Sequence, residues 1–188
     1  IDTDQIIPAR FLRKPRSKEY AGYLFHDLRF QTDGLERPDF LLNALPYRQS
    51  RIIVAGGNFG CGSSRENAVW ALYDYGFRVA IAPSFGDIFA TNCQKNGFLT
   101  IAVTPELIAR TLKTLLESPG ARIAVDLPAQ TLTLAEDVVA EFELDPFAKR
   151  CLIEGVDELG FTLTQLDRII AFENNRPLRP PRTIRPAT

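Results

Sequence analysis

Gly56-Gly57-Asn58-Phe59-Gly60-Cys61-Gly62-Ser63-Ser64-Arg65-Glu66-Asn67-Ala68 is the stretch around which the chain is organised. It follows a short apolar run, Ile52-Ile53-Val54-Ala55, that reads as a buried strand. It precedes Ala68, Ala71, Leu72 and Tyr75, spaced i, i+3, i+4 and i+7 as on one face of a helix. The stretch is therefore a glycine-rich turn from strand into helix. Its four glycines let the backbone approach a ligand closely. Ser63-x-x-Glu66 has the capping-box spacing, which predicts Ser63 as N-cap. A helix start offers free N–H groups and partial positive charge, and Arg65 adds a planar fork suited to a carboxylate. The turn reads as an anion site with hydroxyls facing it. The same residues also suit a capped helix with a solvated Arg65.

Downstream, Tyr75-Gly76-Phe77 supplies a helix stop, and residues 78–83 form a second buried-type strand. Ser84 is placed to cap a helix over 86–96, with Phe85, Ile88 and Phe89 on its inner face. Gly97 ends that helix, and residues 98–103 form a third strand. Strands and helices alternating at this spacing predict a parallel βαβ core. Thr104-Pro105 opens another helix by cap and proline, with Leu107, Ile108, Leu112, Leu115 and Leu116 as its apolar face. After Pro119-Gly120 the pattern changes. Residues 122–127, 131–134 and 138–144 read as an antiparallel strand meander. Residues 146–154 and 166–174 read as closing helices. The expected organisation is one α/β domain over residues 1–175, then a Pro/Arg-rich flexible tail over 176–188 with four arginines and no acid.

Upstream, Ile1-Asp2-Thr3-Asp4-Gln5-Ile6-Ile7-Pro8 reads as a self-capped turn leading into a short apolar strand. Residues 10–18 carry Arg10, Arg13, Lys14, Arg16 and Lys18, either a solvated face or a basic loop that steers an anion. Residues 20–30 form a short helix or bend holding His26, the lone histidine, which reads as a surface or hydrogen-bonded residue rather than a catalyst.

A chain of 188 residues with 45% hydrophobic and 24% charged content fits one soluble globular domain. Its net charge of −1 gives no reason to expect nucleic acid. Cys61, Cys93 and Cys151 are widely spaced, so neither a disulfide framework nor a self-contained zinc site is expected, and the free thiols suit a reducing cytoplasm. No signal peptide or membrane-length apolar run is visible. The absence of methionine leads us to expect further N-terminal residues before Ile1. Nucleotide binding at the glycine turn is disfavoured, because both the P-loop and the dinucleotide glycine patterns are missing.

The string from Asn58 to Glu66 resembles the signature of the aconitase-type swivelling domain, in the cysteine-containing form of the small subunit of bacterial 3-isopropylmalate dehydratase (isopropylmalate isomerase). The opening Asp2-Thr3-Asp4 with Ile6-Ile7-Pro8 is similar to the start of the same subunit. So are the blocks Leu28-Arg29-Phe30, Pro38 to Asn43, Trp70 to Phe77, Ala82 to Phe89 and Gly155 to Gly160. The resemblance implies a three-layer swivelling β/β/α fold. It also implies a hydro-lyase that is active only with a large subunit. The implied reaction interconverts 2-isopropylmalate and 3-isopropylmalate by dehydration and rehydration in leucine biosynthesis.

By the same resemblance Ser63 is the catalytic base, Ser64 and Arg65 hold a substrate carboxylate, and Thr3 and Asp4 are further substrate-binding candidates. The loop over 10–18 is expected near the substrate side chain. No metal or cofactor is expected on this chain. The implied [4Fe–4S] cluster belongs to the large subunit, and Cys61 reads as a small packing residue of the turn. Asn67 departs from the family, which usually has histidine there, and this keeps two alternatives open. One is a paralogous hydro-lyase subunit for another 2-hydroxy dicarboxylate, of the homoaconitate or citraconate/dimethylmalate type. The other is a non-catalytic partner-binding relative.

Overall fold

A computed structural model describes residues 1–134 and 138–176. The expected tail beyond Arg176 lies outside the described residues. The chain opens with one helical turn, α1 (Thr3–Ile6), and a second short helix, α2 (His26–Arg29). Then strand and helix alternate: β1 (Ile52–Val54), α3 (Glu66–Tyr75), β2 (Val79–Ala82), α4 (Asp87–Lys95), β3 (Leu99–Ala102) and α5 (Pro105–Glu117). The three strands pair in parallel in chain order, with Val54, Ile81 and Ile101 in one row and Ile53, Ala80 and Thr100 in the next. The predicted βαβ core is therefore formed.

The meander forms a second sheet, with β4 (Ala124–Asp126), β5 (Thr131–Thr133) and β6 (Val139–Glu141) antiparallel and adjacent. Helices α6 (Pro146–Glu154), α7 (Glu158–Thr164) and α8 (Leu166–Asn175) close the described chain. Strand alternation divides the interior in two. Ala80 and Ala82 join Ala68, Val69, Ala71, Leu72, Phe89 and Cys93 beneath α3 and α4. Ile81, Leu99 and Ile101 join Ile108, Leu132, Leu134 and Phe142 between the sheets and α5. This is the three-layer β/β/α arrangement. Among the described residues no helix is long and apolar enough to cross a membrane.

Three local expectations are corrected, and one helix is added. The opening is helical rather than extended after Asp2, because Asp2 and Gln5 form a reciprocal capping box: Gln5 N–H donates to Asp2 at 2.7 Å and Asp2 N–H to Gln5 Oε1 at 3.0 Å. On α4 the inner face is Phe89 and Cys93, spaced i, i+4, while Ile88 points off that face and is exposed, and Phe85 precedes the helix, which starts at Asp87. On α5 Leu116 is exposed, and Thr111 takes an inner position by returning its hydroxyl to Leu107 O at 2.8 Å. Helix α7 was not anticipated; Asp157 caps it, accepting from Gly160 N–H at 2.6 Å.

Candidate active site

The turn after β1 is built on the turn after β2. Asn58 N–H donates to Ser84 Oγ at 2.8 Å, Phe59 N–H to Ser84 O at 3.0 Å, and Gly86 N–H to Phe59 O at 3.0 Å. Ser84 is thus a bracket for the glycine turn and not the predicted cap of α4, whose N-cap is Gly86 without a side-chain bond. The contact is too close for side chains. A Cβ on Gly86 would lie 2.7 Å from Gly60 O, and one on Gly60, at φ +73°, would enter the Phe89 ring.

The opening segment docks on the other side of this turn. Gly60 N–H donates to Ile1 O and Thr3 N–H to Cys61 O, both at 2.9 Å. Thr3 is buried, and its hydroxyl donates to Ser63 O at 2.9 Å. Asp4 receives Arg65 through both terminal nitrogens, with Nη2 to Oδ2 at 3.0 Å. The structure therefore brings Thr3, Asp4, Ser63, Ser64 and Arg65 together at one end of α3. Ser63 and Ser64 are solvent-exposed.

The predicted capping box does not form there. Gly62, at φ +97°, keeps the chain turning through Ser63, and the N-cap of α3 is Arg65, with no side-chain bond. Ala68 N–H donates to Arg65 O at 3.1 Å, so among the described residues the N–H groups of Glu66 and Asn67 are the first-turn donors left for an external acceptor. Among the described residues neither the Ser63 nor the Ser64 hydroxyl has an internal partner. Glu66 is instead the first residue of the helix and accepts from Asn96 Nδ2 at 2.8 Å, while Trp70 Nε1 donates to Asn96 Oδ1. Asn67 Nδ2 donates to the Tyr20 hydroxyl at 2.6 Å, so its amide serves neither Ser63 nor Glu66.

The basic loop is partly committed elsewhere. Arg16 grips Asp74 at 2.6 and 2.9 Å and lies over the Trp70 ring. Arg10 pairs with Asp27, holding that carboxyl below its ordinary pKa chiefly by the hydrogen bond. His26 sits beside them, 3.2 Å from Arg10, with its ring against Phe11 and Phe30. Arg13, Lys14 and Lys18 are exposed. Cys61 is partly exposed, Cys93 and Cys151 are buried, and among the described residues no three His, Cys, Asp or Glu side chains converge on a point that would hold a metal. A cluster needing several thiolates does not fit this chain.

Sequence reasoning missed the Asp2–Gln5 box and the bracket at Ser84. The Asp-x-x-Gln spacing is a signal that would have found the first; nothing local points to the second.

Chemically, an exposed hydroxyl pair, open helix N–H groups and a guanidinium that already holds one carboxylate suit the binding and deprotonation of an organic acid. The family described as Aconitase C-terminal domain matches residues 1–106, and LeuD_N matches residues 112–146. The 3-isopropylmalate dehydratase small subunit of Roseobacter denitrificans is 49% identical over 175 residues, spanning 93% of this chain and 87% of that protein. The same subunit of a Roseiflexus species is 48% identical over 179 residues, spanning 95% and 88%. A crystal structure of 3-isopropylmalate dehydratase from Methanocaldococcus jannaschii matches with a TM-score of 0.65 at 26% identity, over 90% of this chain and 91% of that one.

Proposed function

Because this chain belongs to the 3-isopropylmalate dehydratase small-subunit family, we propose that it completes the active centre of a heteromeric hydro-lyase that interconverts 2-isopropylmalate and 3-isopropylmalate. The observation that carries the reading is that Ser63 is exposed, without an internal hydroxyl partner among the described residues, two positions before Arg65 at the uncapped start of α3. Ser63 Oγ is the base. It takes the proton from the carbon alpha to a substrate carboxylate, and later returns one to the unsaturated intermediate. A neutral serine is a weak base. The open N–H groups of Glu66 and Asn67 and the helix dipole stabilise its alkoxide.

Ser64 and Arg65 hold a carboxylate so that the alpha proton faces Ser63. Thr3 and Asp4 border the same site. A [4Fe–4S] cluster carried by the large subunit supplies Lewis acidity to the departing hydroxyl. The relatives' names favour isopropylmalate over other 2-hydroxy dicarboxylates. We place the enzyme in the cytoplasm, in keeping with its free thiols.

The test is anaerobic assay of the chain reconstituted with its large subunit, on 2-isopropylmalate and a panel of related dicarboxylates. Ser63→Ala is expected to leave folding and assembly intact and to lower kcat by at least about 10²-fold. Near-normal turnover would reject Ser63 as base. Preference for another acid would reject the substrate.

A further inference from the structure

An arginine offers a carboxylate two matched edges, one formed by its two terminal nitrogens and one by Nε with a terminal nitrogen. Asp4 occupies the terminal edge of Arg65, and among the described residues Nε has no partner. The two partners differ in freedom. The Arg65 side chain is 15% exposed and that of Asp4 56%. Yet Asp4 is carried on a rigid support, because α1 is closed by the Asp2–Gln5 box and Thr3 is bonded to both Cys61 O and Ser63 O. The same turn that holds the serine backbone therefore aims the carboxylate at Arg65. Asp4 is more than half exposed, so solvent screens the pair and it adds little to stability; its bidentate geometry points to orientation rather than folding.

We propose that Asp4 is a positioning residue: it fixes the Arg65 guanidinium by its terminal edge so that the Nε edge is presented to a substrate carboxylate, and it does not bind substrate itself. This rests on the reading of Arg65 as the carboxylate holder. Asp4 also offsets the arginine's charge, so the site selects a carboxylate by geometry more than by net attraction.

The test is a double-mutant cycle on the reconstituted enzyme, with Asp4→Asn, Arg65→Lys and both together, and Ser63→Ala alongside. Co-purification with the large subunit and thermal unfolding report folding. Asp4→Asn is expected to lower kcat/KM by about ten- to a hundredfold, as misplacement of a binding group does. In the Arg65→Lys background the same change is expected to do nothing further.

Additive losses would mean that Asp4 acts on substrate directly and would overturn the proposal. A rise in kcat/KM would make Asp4 a competitor for the fork, and an unchanged value would make the pair ornamental; both overturn it. So does an Asp4→Asn chain that no longer assembles, since the pair would then be structural. An active Ser63→Ala with the expected cycle would overturn only the base. An inert Ser63→Ala with an unaffected Arg65→Lys would overturn the carboxylate reading itself.

Discussion

Asn67 and Tyr20 share a hydrogen bond of 2.6 Å, from the amide of one to the hydroxyl of the other. Tyr20 is fully buried, and burial pushes its hydroxyl pKa up. The bond ties the start of α3 to the segment that follows the basic loop. Asn67→Ala leaves the Tyr20 hydroxyl buried without this partner and is expected to cost about 1–3 kcal/mol in urea unfolding. Tyr20→Phe in the same background should then cost less than it does alone. Because the Asn67 amide faces Tyr20, the pH profile of kcat should not move in Asn67→Ala. A shifted profile would tie this residue to Ser63 after all.

The glycine turn and the Gly86 turn touch backbone to backbone, and this gives a second prediction. Gly86 has an ordinary φ, so alanine is conformationally acceptable there; what opposes it is the approach to the facing backbone, 2.7 Å to Gly60 O and 3.1 Å to Cys61 Cα. Gly86→Ala must push the turn that carries Ser63 away from its support. Overpacking of this kind costs about 1–3 kcal/mol. The loss of kcat should exceed what the stability change explains, because Ser63 moves with the turn. A chain that is destabilised yet fully active per folded molecule would show that the turn's position is not critical.

The sheet was readable because each strand is a short apolar run bounded by glycine or proline, and alternation along β2 places Ala80 and Ile81 in opposite cores. The meander was readable by alternation instead: in β5 Leu132 is buried between half-buried Thr131 and Thr133. The site residues were readable as a set only by resemblance. Thr3 and Ser63 are sixty positions apart, and nothing local in either segment says that a buried hydroxyl will meet that carbonyl. The capping box was misread at Ser63 because spacing alone does not show that Gly62 keeps the backbone turning past it. At Asp2 the same motif held, with glutamine as the partner. Tertiary support, such as Ser84 beneath Asn58, has no sequence period and was invisible.

Cys93 gives a third prediction, in which the sign matters. It lies fully buried beside Phe89, the ring that underlies Gly60. Burial penalises the thiolate and holds its pKa well above the usual 9.0. In the unfolded chain the thiol releases its proton as pH rises through about 9, while the folded chain keeps it. Above that point the folded state binds more protons, so stability must fall as pH climbs; below it the contribution is complete. Urea unfolding from pH 7 to 11 should show this slope, and Cys93→Ala should flatten it while lowering stability at pH 7 through the lost packing. A thiol reagent should reach partly exposed Cys61 in the native chain and Cys93 only as the core opens. If Cys93 reacts as fast as Cys61, the layer that supports the glycine turn is open to solvent, and the turn cannot owe its position to a packed floor.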